Sequence, residues 1–510
     1  MNKKIMRAIA GGLVFAFTPE IANSHALAQR YDLPLPLSYF LVAAGVVVAA
    51  TFIILSLAIP PPKRPGVKAQ VIASGTVPII LVTTVKTLSV ALLIVIILAG
   101  LFGNQNPFKN LAPVAVWVIW WVGLGLVSAF VCNVWTLLNP FSTLFDLAES
   151  LLTRRGFRRP PWLAYPRWLG AWPACGLFFL FAWLELVAPN RDVPRNIAIA
   201  ILIYSGLTFA CFAVFGRQAW LRGGEVFSVV FGLFARFAPL HFDERGSRWV
   251  IRPYAAALHT DQPLDASMIA CTLAVLGTVT VDGFMETPLW AATSERLLVG
   301  AINRQHLYMV LASALLLAGP LLLAALYLLV IAMMRRLAGG PKKLAGRFVL
   351  SLIPIAIAYH LAHYFSLFAI AGQFIIPIAS DPFGYGWDLF GTTLYRINIG
   401  IVDARFIWYL AMIAIVIGHM IAVWLAHVAA GRAYSNLNAA RRGQYPMLVL
   451  MVTYTTLSLW ILAQPIVEPV LAGPTNKNRQ PEAASGHPAS LFWVKTVAAP
   501  MHVRETSPND

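Results

Sequence analysis

Long apolar runs separated by short polar loops repeat from one end of the chain to the other; Leu37 to Ile59, Leu307 to Met334 and Phe406 to Ala430 are three of them. Each is long enough, at about 1.5 Å per residue, to cross the roughly 30 Å of bilayer hydrocarbon as a helix. The pattern predicts an all-α, polytopic transmembrane bundle of about ten spans, at 37–59, 78–102, 112–134, 168–188, 196–216, 266–282, 307–334, 348–376, 405–430 and 446–467. Between the fifth and the sixth, 224–240 is apolar but carries Glu225 and Arg236, a composition that suits a helix lying in the cytoplasmic interface better than one crossing it.

The N-terminus has a different pattern. Lys3, Lys4 and Arg7 precede an apolar stretch from Ala8 to Phe17 and then a polar region with the small residues Ala22, Ser24, Ala26 and Ala28. That is the form of a secretory signal peptide over 1–24, with cleavage placed between 24 and 28. A transmembrane domain then fills 25–467. The remainder, 468–510, is rich in Pro, Asn, Lys and Gly and reads as a disordered periplasmic tail.

With the mature N-terminus outside, the first span runs inward and delivers Lys63, Arg64 and Lys68 to the cytoplasm, as the positive-inside rule requires. Every second exit is then basic: Arg154, Arg155, Arg158 and Arg159, then Arg217 and Arg222, then Arg335, Arg336, Lys342 and Lys343, then Arg432, Arg441 and Arg442. The opposite loops carry Asp282, Glu286, Asp381, Asp388 and Asp403 and are assigned to the periplasm. These assignments place the chain in a bacterial inner (cytoplasmic) membrane with both mature termini periplasmic.

Composition sharpens this. Of 510 residues, 59% are hydrophobic and 12% charged, with a mean hydropathy of +0.72; such a chain needs lipid as its solvent. Lys and Arg exceed Asp and Glu by 38 to 21, a formal charge of +17. The basic residues lie in short loops between spans, so anionic lipid head groups account for them and nucleic acid is not an expected partner. Cys132, Cys175, Cys211 and Cys271 all fall in apolar segments with no CxxC pair, which argues against a disulfide framework and a thiolate metal site. No Walker or Gly-rich nucleotide signature and no voltage-sensor run is present, which removes ATP-driven pumps and voltage-gated channels.

Against this apolar background the histidines stand out. Tyr359-His360-Leu361-Ala362-His363-Tyr364 places two imidazoles three residues apart within the eighth span, on one helix face. The ninth span supplies His419, with His427 two turns further on. By helical rise His360 lies about 20 Å from the cytoplasmic end of its span and His419 about 21 Å from the periplasmic end of its own, nearly one depth in antiparallel neighbours. His360, His363 and His419 are therefore candidate ligands of one divalent metal, zinc or similar, with an open fourth position. Haem ligation is the alternative cofactor reading, and interhelical hydrogen bonding or proton relay the structural one.

A second group gathers at the outer helix ends. Asp282-Gly283-Phe284-Met285-Glu286 closes the sixth span, and Ser380-Asp381-Pro382-Phe383-Gly384 follows the eighth. Such Asp, Gly, Pro and aromatic density builds rigid turns at a membrane interface. It also offers Asp282, Glu286 and Asp381 as catalytic carboxylates, general base or ligands over the histidine centre. Glu185, ahead of Pro189, joins them as a partly buried acid. His25 would become an N-terminal copper chelator if cleavage followed Ser24.

In their order along the chain, His25-Ala26-Leu27 with Asp32-Leu33-Pro34-Leu35-Pro36, the Asn139-Pro140-Phe141 turn, Gly224-Glu225-Val226-Phe227-Ser228, Asp282-Gly283-Phe284, His360-Leu361-Ala362-His363-Tyr364-Phe365-Ser366-Leu367 and Ser380-Asp381-Pro382 resemble the bacterial membrane proteins named fenitrothion hydrolases. The resemblance covers most of the chain from His25 to about His427. It implies a membrane-bound, organophosphorus hydrolase that cleaves the aryl ester of a phosphotriester and releases a nitrophenol, with an apolar small-molecule substrate arriving from the bilayer. Two other classes compete: a transporter or metal-handling permease using the same histidines, and a haem-bearing redox subunit.

Overall fold

In hydrocarbon every backbone N–H and C=O must find its partner within its own segment, so runs of Leu, Ile, Val, Ala and Phe are driven into helices. A computed structural model describes residues 36–58, 71–156, 160–259, 262–434 and 436–464. The expected signal peptide, the tail after 468, Lys63, Arg64, Lys68, Arg158 and Arg159 lie outside them. The protein is an all-α helical bundle.

Among the described residues nine helices are long and apolar enough to cross a membrane. In chain order with one shorter helix they are α1 (Leu37–Ala58), α2 (Ile79–Phe102), α3 (Leu111–Phe130), α4 (Trp172–Leu186), α5 (Pro194–Phe215), α6 (Ala266–Met285), α7 (Arg304–Ala338), α8 (Leu344–Ser380), α9 (Ala404–Ala433) and α10 (Leu437–Leu462). The shorter one is α4, 15 residues and so about 22 Å long, where the sequence led us to expect a full span over 168–188. Side-chain caps mark several starts: Asp265 accepts from Met268, Asn303 from His306, Asp403 from Phe406 and Asn436 from Ala439. Asn436 also explains why α10 starts well before the expected 446.

Contacts between loops show which helix ends lie together. Leu163, ahead of α4, donates its amide to Val214 in the last turn of α5. After α4, Arg195 donates to Gln105, which follows α2. Helix α4 thus joins the same two ends of the bundle as its long neighbour α5. A three-stranded antiparallel sheet, order β1-β3-β2, ties Ala73–Thr76 (β1), after α1, to Leu240–Phe242 (β2) and Arg248–Ile251 (β3), after α5. One shared end needs an even number of traverses between β1 and β3, and α2, α3, α4 and α5 provide four.

The 224–240 segment departs from expectation. Its helix, Val226–Ala235, buries eight of its residues, Val226, Phe227, Val229, Val230, Phe231, Leu233, Phe234 and Ala235. It is apolar all round and so sits inside the protein, not on a lipid interface. It starts beside Trp135 and Asn139, both bonded to Glu225, and the chain beyond it returns to Val131 through the amide of Leu240. The helix enters and leaves at one end.

The most buried span is α8, with 83% of its apolar window inside the protein, against 17% for the peripheral α2. Small residues let its neighbours approach: a Cβ on Gly418 of α9 would stand 2.6 Å from Ala358 Cβ and 2.9 Å from the Pro354 carbonyl of α8. All four cysteines are free thiols.

Candidate functional site

Asp282 and Glu286 are four residues apart at the end of α6, so their carboxylates leave the helix on one face. Gly283 between them permits close packing, since a Cβ there would stand 3.0 Å from Ile461 and 3.5 Å from the Tyr359 hydroxyl. Across the bundle, α8 presents His363 and Tyr364. His363 Nε2 lies 2.9 Å from Asp282 Oδ2, and the Tyr364 hydroxyl donates to the same oxygen at 2.6 Å. One ligand atom from each of Asp282, Glu286 and His363 falls within 4.8 Å of the others. Among the described residues this is the one such group of His, Cys, Asp or Glu.

The surroundings are polar for a site between apolar helices. His363 and Asp282 side chains are 8% and 12% exposed. Glu185, from the last turn of α4, acts electrostatically on both, and Arg191, beyond it, acts on Asp282, Glu185 and Glu286. Arg191 also donates to the Glu185 carbonyl. Three carboxylates therefore face one guanidinium, an excess of two negative charges when all are ionised and His363 is neutral. The buried Tyr359 Oη nearby lacks a partner, and Trp121 stands beside Glu185 and Tyr364. Trp121 belongs to Val114–Gly123, a stretch of α3 wound with the wider π-helical turn, a distortion that recurs at functional sites.

The residues singled out from the sequence separate into those that converge here and those that do not. Asp282, Glu286, His363 and Glu185 converge. His360 and His419 do not bring ring nitrogens to this point. His360 packs against Trp121, Phe234 and Tyr364 and reaches the Val122 carbonyl at 3.5 Å. His419 uses Nδ1 on the Ile415 carbonyl of its own helix at 2.9 Å. The expected centre of three histidines is thus not gathered: three residues apart means about 60° apart around a helix, so His363 faces α6 while His360 faces α3. His427 lies 3.2 Å from Gln444 on α10.

Asp381 plays a structural part, its carboxylate accepting from the amides of Tyr385 at 2.9 Å and Gly386 at 2.6 Å in the loop after α8. The same loop is bound to the end of α2 and the start of α3 through Asn104 to Phe383, Leu111 to Pro382 and Tyr385 to Phe102. Arg191 and Tyr364 were not singled out from the sequence. A lone arginine just after an acid-bearing apolar segment was the available signal for Arg191. For Tyr364, adjacent to the His pair, the signal was position alone.

Comparison with protein-family models, with curated proteins and with solved structures returned no match for this chain.

Proposed function

We propose that this integral membrane protein holds a divalent metal ion at Asp282, Glu286 and His363, and that the centre serves hydrolysis of an apolar ester, of the phosphotriester class that the resemblance to fenitrothion hydrolases implies. The observation that carries the reading is the convergence of three ligand atoms within 4.8 Å, in a group that carries two uncompensated negative charges when its three carboxylates are ionised and His363 is neutral. A divalent cation balances that excess; left alone, it is costly in a medium of low dielectric. One imidazole with carboxylates suits zinc, manganese or iron better than a soft metal.

Such an ion supplies Lewis acidity and makes water acidic enough to act near neutral pH. The protein's own groups do the rest. Asp282 orients the His363 ring, Tyr364 fixes Asp282, and Glu185 is within electrostatic reach to take a proton. Tyr359 has a hydroxyl free for an incoming oxygen. Lysines and arginines gather at the opposite end of the bundle, as at Arg335, Arg336, Arg441 and Arg442, so the positive-inside rule puts the site near the periplasmic face of an inner membrane.

A transporter reading rests on a different feature, the direct His363–Asp282 hydrogen bond, which is also how a proton relay is built. Metal analysis of the purified protein separates the two. His363→Ala and Glu286→Gln should each lose bound metal and triester hydrolysis together, Tyr364→Phe should lower hydrolysis but keep the metal, and His419→Ala should keep both. Parent protein without metal, but with proton flux that His363→Ala abolishes, moves the assignment to transport. A Soret band lost in His360→Ala or His419→Ala moves it to haem.

A further inference from the structure

At the opposite end of the bundle from Asp282 lies a cavity of about 300 Å³, the lower limit of ordinary small-molecule sites. Its walls come from the turn after α3, the helix Pro140–Arg154, the segment after α5, one face of Val226–Ala235 with Arg236 just beyond it, and Glu244 at the rim. Met268 of α6 also lines it. Asp282 lies 14 residues further along α6, so the two places are about 21 Å apart by helical rise.

Three arginines line this cavity, Arg217, Arg222 and Arg236. The first two have protein partners. Arg217 pairs with Asp146 at 3.0 Å and donates to Ser142 at 2.7 Å. Arg222 pairs with Glu244 at 3.1 Å at the rim, where the side chains are 68% and 65% exposed. Arg236 is different: it is partly buried, and no hydrogen bond or ion pair engages its guanidinium among the described residues. A partly buried cation with no protein partner is stabilised by a counter-anion. A second group on the wall is also incomplete, because Asn133 Oδ1 is buried without a partner. Its amide can be turned to offer either oxygen or nitrogen.

From these observations we infer that the cavity binds a phosphate-bearing anion, held chiefly by Arg236 with Arg217 and Arg222 around it. Guanidinium groups arriving from separate segments present more N–H donors than the two oxygens of a carboxylate accept, and match the oxygens of a phosphate. The volume exceeds that of the phosphate alone, leaving room for an ester substituent. The end of the bundle is the basic one, where a phospholipid head group and a soluble phosphate ester are both at hand.

Full-length protein in detergent, studied by native mass spectrometry with phosphatidylglycerol or with diacylglycerol of the same chains, tests the lipid source. Titration of the same protein with inorganic phosphate tests the soluble source. Binding of either phosphate form, at least tenfold weaker in Arg236→Gln, partly restored in Arg236→Lys and unchanged in the exposed Arg154→Gln, supports the site; whichever probe binds identifies the source. Retention of diacylglycerol as firmly as phosphatidylglycerol, absence of binding by both phosphate forms, or equal loss in Arg154→Gln overturns it. Should Arg236→Gln not fold, Arg236→Lys and Asn133→Leu are judged by the same criterion: wild-type affinity in both overturns the proposal.

Discussion

Leu163 and Val214 meet through a 2.8 Å backbone hydrogen bond that joins the residue stretch before α4 to the last turn of α5. The two flanks of this antiparallel pair therefore lie at one end of the bundle. A 15-residue helix looks too short to cross, yet if α4 stayed at one end while α5 traversed, Leu163 and Val214 would be separated by the whole bundle. The sheet pairing of Ala73–Thr76 with Arg248–Ile251 imposes the same condition from other residues.

This makes topology testable where hydropathy alone is weakest. Reporter fusions after Arg155 and after Asn190 should give opposite results, cytoplasmic and periplasmic, with fusions after Gly224 and after Arg252 both cytoplasmic. A periplasmic result after Arg252 would mean that Val226–Ala235 crosses. Like results after Arg155 and Asn190 would remove α4 as a crossing.

The spans were legible because apolar run length is nearly sufficient to specify a helix in lipid, and each expected run is occupied by a helix. What the runs did not reveal depends on tertiary partners. The sheet consists of three or four residues per strand, with no alternation long enough to read. Val226–Ala235 is flanked by the charges of an interfacial helix, but Glu225 is satisfied internally and Arg236 lines a cavity. At the site, depth along the helix was a sound guide and angle was not. Asp282, Glu286 and His363 share a level and a facing direction. His360 and His419 share the level only, and each finds a backbone carbonyl instead.

Asp192, in the turn between α4 and α5, gives a pH-dependent prediction. It is 4% exposed, and its Oδ2 has no partner. Burial pushes its carboxyl up to about 6, against a smaller opposing pull from Arg191. An acid whose folded value is raised binds its proton more tightly in the folded state, so stability is greatest below the unfolded value near 4 and falls as pH rises through 6. Two units amount to on the order of 3 kcal/mol. Asp192→Asn should therefore match the parent near pH 4 and melt higher near pH 8 in thermal scans of the detergent-solubilised protein. Equal melting at both values would show that the carboxyl is hydrated or paired.

Glu225 offers the strongest test of how the interior is held together. Its side chain is fully buried and accepts from Trp135 Nε1 at 3.0 Å, the Tyr204 hydroxyl at 2.5 Å, and the Ser228 hydroxyl and amide at 2.5 and 2.7 Å. The Phe227 amide adds a further contact at 3.2 Å. The Trp135 indole and the Phe227 and Ser228 amides can only donate, so the position favours an acceptor, and a carboxylate at the start of Val226–Ala235 also meets the positive end of the helix dipole. Glu225→Gln keeps the shape but turns an NH₂ toward donors, which should cost on the order of 2 to 4 kcal/mol, since bonds to a charged acceptor contribute about 1.5 to 3 each and orphaned donors keep their desolvation penalty. Glu225→Ala strands every donor and should cost more, lowering expression and melting temperature further than Glu225→Gln. Glu225→Asp, shorter by one methylene, should fall between the parent and Glu225→Gln because it keeps the charge. A Glu225→Gln protein as stable as the parent would mean that the donors around residue 225 are organised by shape and not by charge.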